Sequence, residues 1–343
     1  MDLVHGSGVL VIQHLQNNYR EYHSFLNFMS TVGDPRNIFS VYFPLWFHLS
    51  REVGTKMIWV AVIGDWLNLI FKWILFGQRP YWWVQETTFY HNNSAPRLEQ
   101  FQITCETGPG SPSGHAMGSS CVWFVMITSV LHFTRPSPSA SSVQSLQRWA
   151  DILQLFPNVS SFLITGDVSM SPFRFRLLRS GLWMTFWIIQ MSVCISRVFI
   201  ATHFPHQVIL GLLSVMGIDL LWSVTKAKKW CANPEWIHLD TSPFAGLLRN
   251  LGALFGLGLA VNSEMFLQSC KGKNGNKTRF KLMCVAATLT CLQLFDLMKM
   301  PTHTEVLFYT LSFCKSASVP LAVVAVIPYC VHLLIGDEDR KLS

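Results

Sequence analysis

Lys72, Arg79 and Arg197 stand in or beside strongly apolar stretches, and two histidines, His115 and His203, lie near them along the chain. A cation at membrane depth costs about 2.5–3.5 kcal/mol on insertion scales, so it needs a polar interior or an anion to face. In MIWVAVIGDWLNLIFKWILFGQRP, Asp65, Lys72 and Arg79 recur every seven residues, with Asn68 between the first two. Helical spacing aligns them in one polar stripe. That stripe is either an ion pair joining two helices or one wall of an anion site. Pro80 should end the helix and leave Arg79 at its mouth.

A second cluster, GPGSPSGH at 108–115, leads directly into an apolar run. A Gly/Ser loop at a helix N-terminus offers backbone N–H groups and a positive dipole end to an anion, although a plain turn has the same composition. The third cluster is Ser196-Arg197, then five residues, then His203-Phe204-Pro205-His206. On an unbroken helix Arg197 and His203 would diverge by about 120°. Pro205 predicts a break with a new helix starting there, which lets both side chains reach one place. Basic groups, a Gly/Ser nest and two histidines converging on one face suit a phosphate ester.

The rest of the chain must supply the membrane elements that carry these groups. Half of the 343 residues are hydrophobic and only 13% are charged, against about 25% in soluble domains. A soluble enzyme and a disordered chain are both excluded. The net charge of +7 fits basic loops that orient membrane helices. No Lys/Arg-rich run interleaved with aromatics points to nucleic acid. The cysteines form no CxxC pair and the histidines no HExxH, so no metal or cofactor is expected.

Runs near the roughly 20 residues a span needs fall at 28–49, 57–77, 115–134, 181–200, 207–224, 244–262, 282–298 and 306–335. The first and fifth are marginal. The expected fold is an all-α polytopic bundle of about eight spans in one domain, 1–343. The polar, arginine-bearing stretch 135–180 reads as a long cytoplasmic loop. The loop 78–114 carries the sequon at Asn92, which is usable only in the lumen. Clusters one and two share that loop, and two crossings separate clusters two and three, so all three should meet on the lumenal face. The basic stretch 263–281 and the C-terminus should be cytoplasmic. One conflict remains. His203 and 263–281 require an odd number of crossings between them, and the sequence offers two.

Taken together, Lys72-x6-Arg79-Pro80, Pro112-Ser113-Gly114-His115 and Ser196-Arg197-x5-His203 resemble the three-part signature of the type 2 phosphatidic acid phosphatase superfamily, which includes vanadium haloperoxidases. The longer segments IGDWLNLIFKWILFGQRPYWWVQET, CETGPGSPSGHAMG and ATHFPHQVILG resemble the catalytic subunits of glucose-6-phosphatases, and FLNFMSTVGDPRNIF leans toward the islet-specific branch. The resemblance implies hydrolysis of glucose 6-phosphate at the lumenal face of the endoplasmic reticulum membrane. His203 would be the nucleophile that becomes phosphohistidine, and His115 the general acid and then base. Lys72, Arg79 and Arg197, helped by the N–H groups of Ser113 and Gly114, would hold the phosphoryl oxygens. Implied partners are the membrane lipids and a separate glucose-6-phosphate transporter. A lipid phosphate phosphatase of the same superfamily and a catalytically impaired membrane protein are the alternatives.

Three departures accompany the resemblance. The superfamily's Asp four residues after the nucleophile is Gln207 here, so Asp34 or another carboxylate is expected to orient the imidazole. The stretch 135–180 looks like an insertion. After His203 the nine-span family has a further loop and most of another span that this chain lacks.

Overall fold

The computed structural model describes residues 1–75, 77–90, 95–134, 172–209, 220–237, 239–270, 278–297 and 304–341. Every regular element among them is helical. α1 spans Asp2–Asn18, α2 His23–Val32, α3 Phe43–Leu49, α4 Arg51–Leu75, α5 Pro80–Glu86, α6 Gly114–Thr134 and α7 Pro172–Phe199. They are followed by α8 Pro205–Ile209, α9 Leu220–Trp230, α10 Pro243–Val261, α11 Glu264–Cys270, α12 Thr278–Leu297, α13 Glu305–Leu321 and α14 Ile327–Lys341. Among the described residues, five stretches are long and apolar enough to cross a membrane: Arg51–Glu86, Gly114–Thr134, Phe173–Phe199, Pro243–Val261 and Val306–Ile335. They match five of the expected spans, and the chain is a multi-pass helical membrane protein.

α4 shows how the sequence sorts its faces. Trp59, Ile63, Leu67, Ile70 and Ile74 are exposed on one side, while Met57, Ala61, Asn68 and Lys72 are buried on the other. The spacing of three and four is that of one helical stripe. In a membrane the apolar stripe faces lipid, and the polar one faces the bundle interior. α10 and α13 approach closely, since a Cβ on Gly256 would overlap the carbonyl oxygen of Ala317. Small residues permit such contact between membrane helices.

Several expectations are corrected. The stretch 28–49 is not one span. α2 stops at Val32, and Asp34 caps a single turn at Pro35–Asn37 by accepting the Arg36 N–H at 2.8 Å. A π-helical turn, Ile38–Tyr42, then leads into α3. Proline holds the preceding residue in extended backbone, and Asp34 sits at φ −68°, ψ 123°. The expected loop 135–180 ends early, because α7 begins at Pro172. Residues 135–171 lie outside the described part, as does Asn92.

The chain after His203 settles the crossing conflict. Lys72 marks one end of α4 and Arg51 the other. The Arg51 end is fixed by its guanidinium over the Phe266 ring at 5.9 Å and by Lys281 Nζ donating to the Leu49 carbonyl at 3.1 Å. α9 finishes at the Lys72 end. There Lys226 pairs with Glu86, Trp230 Nε1 donates to Glu86 Oε1 at 2.8 Å, and Cys231 is disulfide-bonded to Cys105. α10 then starts beside the site and runs to the far end. His203 and Cys231, the two described ends of this stretch, therefore lie at the same end of the bundle, while residues 210–219 of the expected span 207–224 lie outside the described part. α11 and the start of α12 lie at the Arg51 end of α4, opposite the site.

Candidate active site

α4 ends at Leu75, and Gly77 turns the chain with a φ of +40°. A Cβ there would stand 2.6 Å from the backbone nitrogen of Ser111, so this close left-handed turn needs glycine. The Gly77 carbonyl accepts the Gly110 N–H at 2.8 Å, which binds the turn to the Gly/Ser loop. Pro80 begins α5 rather than ending α4, and Arg79 is the residue before it. The Arg79 guanidinium is fully buried. It donates to the carbonyls of Gly108 at 2.7 Å, Thr202 at 3.1 Å and Pro109 at 3.1 Å. Three carbonyls from two segments fix its plane and leave one Nη2 edge for an anion.

Arg197 lies in the last turn of α7, also fully buried, with Nη1 donating to Ser30 Oγ at 2.9 Å. α7 ends at Phe199, Ala201 reverses the chain at φ 56°, and α8 starts at Pro205. The expected break is present, and His203 sits inside it. His203 Nδ1 lies 2.7 Å from the Gly110 carbonyl. A carbonyl can only accept, so Nδ1 carries the proton and the Nε2 lone pair is free. Nε2 is buried without a hydrogen-bond partner. Gly110 thus does the orienting expected of Asp34. Asp34 instead chelates Arg36, with Oδ2 2.6 Å from Nη2. Gln207 does not touch the His203 ring through any hydrogen bond in the structure. It donates to the Gln78 carbonyl at 2.6 Å and accepts the Phe204 N–H at 3.1 Å, bracing the turn before Arg79.

His115 enters from the first turn of α6, which opens at Gly114. Ser113 is buried just before it, its Oγ accepting the Ala116 N–H at 3.5 Å. Lys72 is buried, with Nζ 3.9 Å from where a Cβ on Gly114 would stand. Asp65 leaves the group. It accepts from Asn250 Nδ2 at 2.7 Å and lies 3.7 Å from Arg249, so it joins α4 to α10. The helix-joining reading of the polar stripe thus applies to Asp65, while Lys72 and Arg79 lie toward the site.

The residue at the centre is Glu106, which sequence reasoning did not single out. Its Oε2 is 2.9 Å from Arg79 Nη2 and 4.0 Å from His203 Nε2. Its Oε1 pairs with Arg197 and lies 3.7 Å from His115 Nδ1. Burial alone would raise its pKa, but Arg197, then Arg79 and the two histidines, outweigh that and hold it well below the usual carboxylate range. Burial, reinforced by Arg79, lowers His203 well below its ordinary value and keeps the imidazole neutral. Cys105, next to Glu106, carries the disulfide to Cys231. A cavity of about 100 Å³ leads outward from Lys72, Glu106 and His115.

This constellation on an all-α bundle is that of a phosphoryl-transfer membrane enzyme, and the PAP2 superfamily model matches residues 53–231. Glucose-6-phosphatase 2 of Mus musculus is 57% identical over 99% of both chains, and that of Homo sapiens 56%. Glucose-6-phosphatase catalytic subunit 1 of Canis lupus familiaris is 44% identical over 99% of this chain and 98% of its own. The chain belongs to the glucose-6-phosphatase family, and of these relatives it shares more with glucose-6-phosphatase 2. No solved structure matches. Each alignment runs over 382 positions against 343 residues here, so at least 39 positions of the relatives have no counterpart in this chain.

Proposed function

We propose that the chain hydrolyses glucose 6-phosphate to glucose and phosphate through a phosphohistidine on His203. The observation that carries this is the position of Glu106. An internal carboxylate sits among Arg79, Arg197, His115 and His203, so the site is built to hold an anion in contact with a neutral imidazole nitrogen. A phosphoryl group entering there displaces the carboxylate. Its oxygens take up the Arg79 and Arg197 edges, with Lys72 and the N–H groups at the start of α6, Ser113 and Gly114, on the other side. His203 Nε2 then attacks phosphorus as the P–O bond to the sugar breaks, and His115 gives its proton to the departing oxygen. Water attacks the phosphohistidine with His115 taking its proton, which releases phosphate and restores His203. The cations neutralise the transferring group throughout.

The cavity beyond His115 is lined by Asp34, Arg36, Asp240 and Arg249. Such a lining favours a sugar over an acyl chain and argues against a lipid phosphate. The Cys105–Cys231 disulfide supports a lumenal site, because disulfides persist in oxidising compartments. Arg174, Arg176 and Arg179 at the start of α7, at the opposite end, support a cytoplasmic far side. The proposed setting is the endoplasmic reticulum membrane and its lipids, with substrate delivered by a glucose-6-phosphate transporter. Phosphate release from glucose 6-phosphate and from lysophosphatidate, by the purified chain and by His203→Ala, tests the reading. Release from glucose 6-phosphate should fall at least about 10³-fold in the variant. Equal release from both proteins would sink it.

A further inference from the structure

We propose that Arg36 and Asp240, backed by Trp236 and Arg249, form the subsite that reads the hydroxyl groups of the sugar. This rests on the glucose 6-phosphate reading above and names the residues that give it specificity. From a phosphoryl group held at Arg79 and Arg197, the rest of the ester can extend past His115 into the cavity that these four residues line.

The wall of that cavity is organised and yet incomplete. Arg36 is clamped by Asp34 through Nε at 3.1 Å and Nη2 at 2.6 Å, and its Nη1 holds Asp240 Oδ2 at 2.9 Å. Asp240 Oδ1, by contrast, is buried with no hydrogen-bond partner, and so is Arg249 Nε. One is an acceptor and the other a donor, on two residues that line the same cavity. Buried polar atoms without partners are few in folded proteins, and each calls for a partner of matching chemistry. A hydroxyl group supplies both functions, since it donates to a carboxylate and accepts from a guanidinium. The charges of this wall are paired among themselves, Arg36 with Asp34 and Asp240 and Arg249 with Asp65, which leaves it no free cation, among the described residues, for a second anionic group and favours a neutral polyhydroxylated body. Trp236 offers the ring surface against which the C–H face of a pyranose packs.

The segment that carries Trp236 and Asp240 is held in place from the site side. Cys231 is bonded to Cys105, and the Thr107 N–H donates to Thr241 Oγ1 at 3.2 Å. Glu106, between Cys105 and Thr107, therefore shares a tether with the sugar wall, so phosphate and hydroxyl recognition are set in one register. A site with committed hydroxyl partners rejects analogues that lack them, because its own polar groups are then left unpaired.

The test measures binding to the full-length chain carrying His203→Ala, so that turnover does not interfere. Dissociation constants for glucose 6-phosphate and for inorganic phosphate are compared with and without Asp240→Asn. Glucose 6-phosphate should weaken by about 30-fold, the loss of a hydrogen bond to a charged group. Inorganic phosphate should change less than about threefold. Asp240→Asn also removes a negative charge near an anionic ligand, which by itself tightens both. A selective loss for the sugar phosphate is therefore not a charge effect. Unchanged affinity for glucose 6-phosphate, or an equal weakening of both ligands, would overturn the assignment. Should the His203→Ala chain bind glucose 6-phosphate no tighter than phosphate, the glucose reading itself fails. A clear preference that ignores Asp240→Asn defeats the subsite alone.

Discussion

The inner and outer walls of the cavity are built in opposite ways. At the inner wall, Arg79 and Arg197 are fully buried, and all their donor nitrogens except Arg197 Nε are engaged, by backbone carbonyls, Ser30 and Glu106. At the outer wall, the Arg36 side chain is 50% exposed and the Asp240 side chain 35%, and Asp240 Oδ1 and Arg249 Nε have no hydrogen-bond partner. The charges of the inner wall are balanced without substrate by an internal carboxylate. The outer wall becomes complete only with a ligand. Transition-state charge is best met by groups already fixed, since they need no reorganisation when the charge develops. Recognition of a remote group contributes binding energy that can be spent at the reacting centre.

The largest separation of the two walls should come from Arg79→Lys. Lysine keeps the charge but not the planar fork that reaches three carbonyls and an anion. Expected is a fall in kcat/KM of at least about 100-fold for every phosphate ester assayed. A loss confined to glucose 6-phosphate would break the division. Glu106→Gln comes next. It leaves Arg79 and Arg197 buried without their counter-charge, which typically costs about 3–5 kcal/mol. The melting temperature of the ligand-free protein should therefore drop, and inorganic phosphate should restore more of it in the variant than in the wild type. Its acid dependence has a fixed sign. Glu106 is depressed in the folded state, so its stabilisation is present above the ordinary glutamate value of about 4.3 and is lost as pH falls through the lower folded value. Thermal unfolding of the wild type should lose this contribution in acid, while Glu106→Gln should lack that slope. The smallest effect is expected from Cys231→Ser, which frees the segment carrying the outer wall. KM for glucose 6-phosphate should rise by about threefold to tenfold through lost preorganisation, with turnover of p-nitrophenyl phosphate little changed. Equal damage to both substrates would show that the disulfide serves the inner wall.

The inner-wall cations and histidines were legible in the sequence because charge inside apolar segments is costly and therefore conspicuous. Lys72, Arg79, His115, Arg197 and His203 all converge as their spacing implied, and the break before Pro205 falls where proline placed it. Glu106 was illegible for the same physical reason. It is one carboxylate in a polar loop, where charge costs nothing, and only folding brings Arg79, Arg197, His115 and His203 around it. The orienting acceptor for His203 escaped notice because it is a backbone carbonyl, which every residue has. Asp34 was sought for that task and instead fixes Arg36. Cys105 and Cys231 are 126 residues apart, a pairing that no local pattern encodes. Hydropathy made 28–49 look like a span, but Gly33, Asp34 and Pro35 interrupt it, and that interruption carries Asp34 and Arg36 to the cavity.

The stretch from His203 to Cys231 begins and finishes at the same end of the bundle. Orientation in a membrane behaves as arithmetic modulo two. Removing or adding a single helix inverts everything downstream, whereas removing or adding a hairpin changes nothing beyond the hairpin. The later helices, with the wall that Asp240 and Arg249 contribute, thus keep their facing toward His203 however long the excursion between them becomes. A change of one helix at this point would turn the later helices away from His203, whereas a change of a pair would leave them facing it.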